Sequence, residues 1–272
     1  MEKILLTGAS SGIGKAIAEK LTAKGYEVIA CVRKQEDKEA LEALSPQISV
    51  VMFDVLDNEK IENLFQEFKS QNISLSAIIN AAGFAQAGVM ECPDFDAIRK
   101  QIEVNAFAPL KIVTTFLPLM KKGRIINISS VSSNFVYPFI APYCASKKLL
   151  DIFFQGLAIE RCDENIKFIS IKPGVIKTPL WEKSFELAKN AFGKIPPETL
   201  EKYLPKTQKL MASLETSIKN GLAPEAVAEK TLYALTVKNP KFSYNVGIGA
   251  YVGEFLSKLS VDLQRKFIKI SF

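Results

Sequence analysis

The stretch ILLTGASSGIGKAIAEKL, residues 4–21, decides the fold. A short apolar run, Lys3–Leu6, leads into small residues, and a helical pattern follows over 13–24. Within the turn, Gly8-Ala9-Ser10-Ser11-Gly12 fits G-x-S-x-G, which presents a serine nucleophile between a strand and a helix. Read one position wider, Thr7-Gly8-x-x-x-Gly12-x-Gly14 is a glycine-rich turn of the kind that cradles a dinucleotide pyrophosphate. Both readings need the same local context, so composition has to separate them. The chain has 272 residues and no histidine. Ser10 therefore lacks the imidazole that would take its proton. In the phosphate reading Gly8 makes the tight turn, Gly12 lets backbone approach a pyrophosphate, and Gly14 allows a helix to pack closely on a sheet. Ser10, Ser11 and Ile13 complete the loop, and the positive helix end stabilises phosphate charge.

The rest of the chain supplies the context this loop requires. Apolar, β-branched runs at Lys3–Leu6, Glu27–Cys31, Ile48–Phe53, Leu75–Asn80, Arg124–Ile128 and Lys167–Ile171 alternate with helical patterns near 13–24, 37–44, 58–70, 94–120 and 142–161. Near-continuous apolar strands between helices predict a buried parallel sheet. Right-handed crossovers make it an α/β, Rossmann-like, doubly wound sheet of about seven strands with helices on both faces. No repeat, linker or low-complexity tract divides the chain, so 1–272 reads as one domain. After Thr178 the alternation stops. Residues 180–220 read as a helical cover over the site, interrupted at Pro196-Pro197 and Pro205. A helix over 225–237 and a last strand within NPKFSYNVGI follow. The tail 251–272 places Val252, Phe255, Leu256, Leu259, Leu263 and Phe267 on one face, with Lys258, Arg265, Lys266 and Lys269 elsewhere. Such a stripe is expected to pack on its own domain, with peripheral membrane contact as the alternative.

The second strand ends Ala30-Cys31-Val32-Arg33-Lys34, with no acid to bond a ribose 2′-hydroxyl. Arg33 can fork onto a 2′-phosphate instead, which points to NADP(H) rather than NAD(H). Further on, Tyr143 and Lys147 stand four apart at the start of a helix, where an ammonium can lower a phenol's pKa. They follow a strand, GRIINISS, that ends in the hydroxyls of Ser129 and Ser130.

With TGASSGIG at 7–14, NAAG at 80–83, NISS at 127–130, YCASK at 143–147 and PGVIKT at 173–178, the chain resembles the short-chain dehydrogenase/reductase family, in its shorter, non-epimerase branch. The motifs occur in family order across residues 4–178. The resemblance implies that Ser130, in preference to Ser129, is the catalytic serine and that Tyr143 is the general acid/base. It implies that Lys147 holds the nicotinamide ribose, and that Asn105, in IEVNAFAP, supports a water and proton relay. Asn80 and Gly83 match the motif beside the adenosine ribose, Asp54-Val55 the adenine contact, and Pro173, Gly174 and Thr178 the segment that cups the nicotinamide. The implied reaction passes a hydride between nicotinamide and a carbonyl or alcohol. Phe84, Phe135, Tyr137, Phe139, Trp181, Phe185 and Phe192 flank the expected site, and the chain is similar to retinol and 17β-hydroxysteroid dehydrogenase-like members, so the substrate reads as bulky and apolar.

Bulk properties narrow the remaining classes. The net charge of +6 is dispersed rather than gathered into an aromatic-laced patch, which argues against a nucleic-acid partner. Without histidine, catalytic zinc and facial-triad iron lose their commonest ligand, and no metal is expected. Cys31, Cys92, Cys144 and Cys162 show neither metal nor disulfide spacing and read as reduced thiols of a cytoplasmic protein. Met1-Glu2-Lys3 runs straight into a strand, and no uninterrupted apolar run of spanning length is apparent, so neither a leader nor a transmembrane helix is expected. A non-catalytic NADP-binding sensor or scaffold is the alternative function. A nucleotide-sugar epimerase would share the Tyr-Lys pair but needs a larger C-terminal domain. Assembly into dimers or tetramers through helices near 94–120 and 143–161 is implied by the resemblance.

Overall fold

The computed structural model describes residues 2–162 and 165–271. Strand β1 (Lys3–Thr7) turns at Gly8 into helix α1 (Gly12–Thr22). Then follow β2 (Glu27–Val32), α2 (Gln35–Glu42), β3 (Ile48–Met52), α3 (Asn58–Ser70) and β4 (Leu75–Asn80). Helix α4 (Phe95–Ile102) runs through one π turn, Glu103–Phe107, into α5 (Ala108–Phe116). After it come β5 (Gly123–Ile128), α6 (Ala141–Glu160) and β6 (Ile166–Pro173). The cover is α7 (Leu180–Phe192) and α8 (Pro197–Lys219), and α9 (Pro224–Thr236), β7 (Ser243–Val246), α10 (Ile248–Leu256) and α11 (Val261–Ser271) close the fold.

The seven strands are all parallel, in the order β3-β2-β1-β4-β5-β6-β7. Successive strand residues point to opposite faces, and both faces are covered, which is why the strands are apolar throughout. Ile4 and Leu6 of β1 join Ile17, Leu21, Val227 and Leu235 beneath α1 and α9. Leu5, between them, joins Ile61, Phe68, Phe116 and Phe154 beneath α3, α5 and α6. The strand order reverses between β1 and β4, and the carboxyl ends Thr7 and Asn80 flank that crevice. Open α/β sheets take ligands at such a point.

Two local expectations are corrected. Pro197 opens α8, where a missing N–H costs nothing, but Pro205 lies inside that helix rather than ending it. No residue of α8 is buried, so water can satisfy the carbonyl that Pro205 leaves free. The tail is two helices, not one, and its stripe is largely uncovered. Helix α10 turns Ala250 and Gly253 inward, and a Cβ on Gly253 would lie 2.3 Å from Val131 Cγ2. This approach leaves the large side chains outward, with Ile248 85%, Tyr251 60% and Phe255 64% exposed, while Leu256 is buried. The side chain of Lys269 lies outside the described residues. Finally, the helical run Phe95–Leu119 reaches spanning length and hydropathy, although Ala106, Ile112, Val113 and Phe116 within it belong to the core.

Gly14 measures how closely α1 packs on the turn. A Cβ there would lie 2.0 Å from the Gly8 carbonyl oxygen, whereas one on Gly88 would meet nothing within 4 Å. Gly14→Ala is expected to lower the unfolding free energy by about 3 kcal/mol or more, at the top of the usual range for point substitutions. Urea unfolding should show Gly88→Ala near wild type, and equal midpoints for the two variants would contradict the close approach.

Candidate active site

The phosphate loop is held by its neighbours. Gly8 and Gly12 have φ of +69° and +53°, a region that L side chains rarely adopt. The Thr7 hydroxyl accepts hydrogen bonds from the amides of Ala81 and Ala82 at 3.2 and 3.3 Å, tying β1 to the segment after β4. Ser11 caps α1 in an extended conformation without a side-chain hydrogen bond, and no acid stands in the first turn. The loop and the helix start at Ser10, Ser11, Gly12 and Ile13 thus present amides with no competing carboxylate, a fit for pyrophosphate. Thr178 comes over this loop, because a Cβ on Gly12 would lie 3.0 Å from Thr178 Cγ2. The segment from Pro173 is anchored by the Gly174 amide on the Val246 carbonyl (3.0 Å) and by Trp181 Nε1 on the Ile176 carbonyl (2.7 Å).

Toward the other side of the crevice, Arg33 follows β2 and its side chain is 70% exposed. Its guanidinium lies 3.4 Å from Asp54 Oδ2, while Asp54 Oδ1 accepts the Leu56 amide at 3.0 Å. Asp54 thus shapes the loop after β3 and holds Arg33 at the rim, and Val55 packs against the core. Asn80 is buried and donates to Asn127 Oδ1 at 2.9 Å, and its own Oδ1 accepts no hydrogen bond. Gly83 comes close to the π turn and to helix α6. A Cβ on it would lie 3.0 Å from Asn105 Oδ1 and 3.4 Å from Lys147 Nζ, so its bare backbone abuts the reacting groups.

Those groups gather at the carboxyl end of β5. Ser130 caps a short 3₁₀ turn, accepting the Ser132 amide at 3.1 Å, and its hydroxyl donates to the Tyr143 phenol. Lys147, one turn along α6, is buried and donates to the Ile128 carbonyl at 2.9 Å. Tyr143 was expected to be acidified by that ammonium. Instead burial pushes its phenol up to about 12, and only the Ser130 hydrogen bond works against this. The lysine itself is brought down to about 8 by burial, with Asp151 acting in the opposite direction. Desolvation therefore outweighs the helical-turn pairing in the site as it stands.

Asn105 lies in the π turn, a widening of the helix often found at functional positions. Its amide donates to the Phe84 carbonyl at 2.8 Å and to Ser146 Oγ at 3.0 Å, and its Oδ1 accepts the Phe84 amide at 3.0 Å. Ser146 Oγ in turn donates to the Tyr143 carbonyl at 2.8 Å. Asn105 thus fastens the segment after β4 to the catalytic helix. Ser146 escaped the sequence reading, although it lies between Tyr143 and Lys147 in YCASK. The buried Gln101, which accepts the Gln86 amide at 2.6 Å, carried no motif signal, and the motif that begins at Thr7 gave no hint of its hydroxyl's bonds to Ala81 and Ala82.

The cover is latched to the loop that precedes α4. Lys194 pairs with Asp94 at 2.9 Å, Lys202 with Glu91 at 2.9 Å, and the Tyr203 hydroxyl donates to Glu91 at 2.7 Å. Phe139 packs against Phe192 and Tyr203, and it holds φ +64°, a strained backbone for a bulky residue. A cavity of about 310 Å³ opens between this loop and the cover, lined by Ala87, Val89, Met90, Ile98, Pro142 and Ile195 among others. Of the other flagged aromatics, Phe135 is buried in the core and stacks edge-on with Tyr137. No group of three or more metal-ligating side chains occurs among the described residues.

Comparison with known proteins places this arrangement. A family model described as short chain dehydrogenase matches residues 2–189. An NADPH-dependent 3-dehydrocapnine reductase of Ornithobacterium rhinotracheale is 32% identical over 256 residues, covering 90% of this chain and 88% of that protein. Estradiol 17-beta-dehydrogenase 2 of Rattus norvegicus is 29% identical over 264 residues, covering 92% and 69%. A short-chain dehydrogenase structure from Streptomyces avermitilis superposes with a TM-score of 0.80 at 27% identity, covering 99% of this chain and 97% of that one. The matched family model over most of the chain and the likeness in sequence and fold show that the chain belongs to the short-chain dehydrogenase/reductase family of oxidoreductases.

Proposed function

We propose that this protein is an NADP(H)-dependent carbonyl reductase or alcohol dehydrogenase acting on a bulky apolar substrate. The observation that carries the reading is the placement of Ser130 at the carboxyl end of β5, where the buried ammonium of Lys147, one helical turn after Tyr143, donates to the Ile128 carbonyl at 2.9 Å. When bound, the nicotinamide supplies or takes the hydride. The chain's own residues do the rest. Tyr143 keeps its proton at neutral pH and delivers it to the oxygen of a carbonyl being reduced. Ser130 donates to the same oxygen as negative charge develops there. Lys147 keeps positive charge beneath the phenol and orients the ribose, and Pro173, Gly174 and Thr178 cup the nicotinamide. The loop Gly8–Gly14 holds the pyrophosphate, Asp54 and Val55 border the adenine, and Asn80 serves the adenosine side.

NADP(H) over NAD(H) is supported by Arg33 at the end of β2, where an acid would be needed for a free ribose hydroxyl. Its pairing with Asp54 is long and exposed, so the guanidinium can turn to a phosphate at little expense. The NADPH in the name of the Ornithobacterium relative supports the same choice. The apolar cavity beneath the cover favours a bulky apolar substrate. Buried, free Cys31 and Cys144 suit a reducing cytoplasm.

Two exposed apolar surfaces enter the proposal. Phe107, Ile152 and Ile159 on the α4–α6 side would face a second copy of the chain, and the α10 stripe would rest on a lipid surface. Light scattering should give a mass above that of one chain, lowered by Phe107→Asp with Ile152→Asp. Sedimentation with anionic vesicles should be lost in Tyr251→Ser with Phe255→Ser. A single-chain mass, or vesicle binding that survives the second pair, removes the corresponding surface.

Tyr143→Phe should reduce turnover of a carbonyl panel by about 10²-fold or more while NADPH affinity stays near wild type. Wild-type turnover in that variant would remove the mechanism. Arg33→Asp should move the preference from NADPH toward NADH, by about tenfold or more for one charge-assisted contact. Measured kcat/KM for the two cofactors tests this, and an unchanged ratio contradicts the phosphate role.

A further inference from the structure

Helix α6 carries a third polar residue on the face of Tyr143 and Lys147. Asp151 follows Lys147 by four residues and Tyr143 by eight, a spacing that stacks all three along one side of the helix. Asp151 is buried, and so is Lys172 on β6, whose ammonium lies 2.9 Å from Asp151 Oδ2. Ser170 donates to Asp151 Oδ1 at 2.7 Å, and Lys172 donates to Asn134 Oδ1 at 2.8 Å. Asn134 closes the 3₁₀ turn that Ser130 begins, and Lys172 immediately precedes Pro173. One buried carboxylate therefore connects the catalytic helix, the strand that leads to the expected nicotinamide segment and the turn of the catalytic serine.

A buried ion pair is a poor stabiliser. Its desolvation offsets most of the attraction, and well-packed apolar replacements are often as stable. Here the pair stands beside a third buried charge, because Lys147 is itself almost fully enclosed. We propose that Asp151 is a positioning residue for the reaction: shared between the ammonium groups of Lys147 and Lys172, it keeps Lys147 charged and aimed beneath Tyr143, while Lys172 limits how strongly it does so. This rests on the reading of Tyr143 and Lys147 as the proton-transfer pair.

The surroundings of Lys147 leave few other electrostatic controls. On α6 it has Tyr143 one turn before it and Asp151 one turn after it, from β5 it meets the Ile128 carbonyl, from the segment after β4 the backbone of Gly83 comes close, and Lys172 on β6 reaches it only through the carboxylate of Asp151. The titratable groups in that set are Tyr143, Asp151 and Lys172. The phenol is neutral at working pH, so Asp151 and Lys172 carry the opposing influences. Burial has already brought Lys147 to about 8, close enough to neutrality that a changed neighbour alters its charge in the working range.

The sign of each effect follows. Removing the carboxylate takes away the negative charge that favours the ammonium of Lys147, so Lys147 loses its proton at lower pH. Removing Lys172 frees the carboxylate for Lys147 alone, so the proton stays on to higher pH. The test titrates Lys147 directly by NMR in protein carrying ¹³C at lysine Cε, its signal assigned by its absence in Lys147→Arg. Asp151→Asn, which keeps an acceptor for Ser170, should lower the midpoint by about one pH unit, and Lys172→Met should raise it, one unit being a tenfold change in proton affinity. Asp151→Glu should restore the wild-type midpoint. A midpoint unmoved in Asp151→Asn, or variants that both shift the same way, overturns the proposal. If Asp151→Asn does not fold, Lys172→Met decides, and a midpoint that stays or falls there overturns it. Turnover measured against pH separates the two readings. Titrations that move as expected while the pH–rate limbs stay fixed would retain the Asp151 coupling and reject Lys147's part in proton transfer.

Discussion

Where β1 and β4 part, the Thr7 hydroxyl receives the amides of Ala81 and Ala82, and Gly8 lies against the same peptide. A Cβ on Gly8 would come within 2.5 Å of the Ala82 nitrogen. This contact keeps the ends of two parallel strands together just as the sheet reverses its winding. Everything functional is hung from it. The loop that follows Gly8 turns its amides outward, the segment that follows Asn80 passes beneath Asn105, and Gly83 brings bare backbone to Lys147. A larger side chain at Gly8 would push against the Ala81–Ala82 peptide, and one at Gly83 would crowd Asn105 and Lys147.

The reacting groups sit under opposing electrostatic demands. Burial excludes water and strengthens each hydrogen bond, but it also disfavours charge on both Tyr143 and Lys147. The phenol answers by staying protonated, the form that suits an acid in carbonyl reduction. The amine is held by the Ile128 carbonyl and by the carboxylate one turn further along α6. A pair described only by its four-residue spacing would miss this balance, because the spacing says nothing about how much water has been removed.

A second set of contacts joins the α7–α8 region to the loop before α4. Lys194 and Lys202 reach from the α7–α8 region to Asp94 and Glu91 through contacts that water can compete for, while Phe139, Phe192 and Tyr203 pack beside them. Exposed ion pairs of this kind are individually weak and screened by salt.

Strand and helix order, the glycine turn and the parallel doubly wound sheet were legible from residues 4–178, because period and turn chemistry are local properties of a chain, while Ser130, Tyr143, Lys147 and Asn105 were picked out as candidates by their resemblance to family motifs. The absence of histidine removed the nucleophile reading of Ser10 before any fold was known. Tertiary structure decided what depends on approach and burial. It set the phenol's acidity against expectation, placed Gly83 beside Lys147, and drew Asp151 and Lys172 together from elements with no common motif. It also turned the apolar side of α10 to solvent, since a bare glycine at 253 is what fits against Val131. Hydrophobic periodicity reports that a helix has two faces. Which face is buried depends on how closely its neighbour can come, and only the folded chain determines that distance.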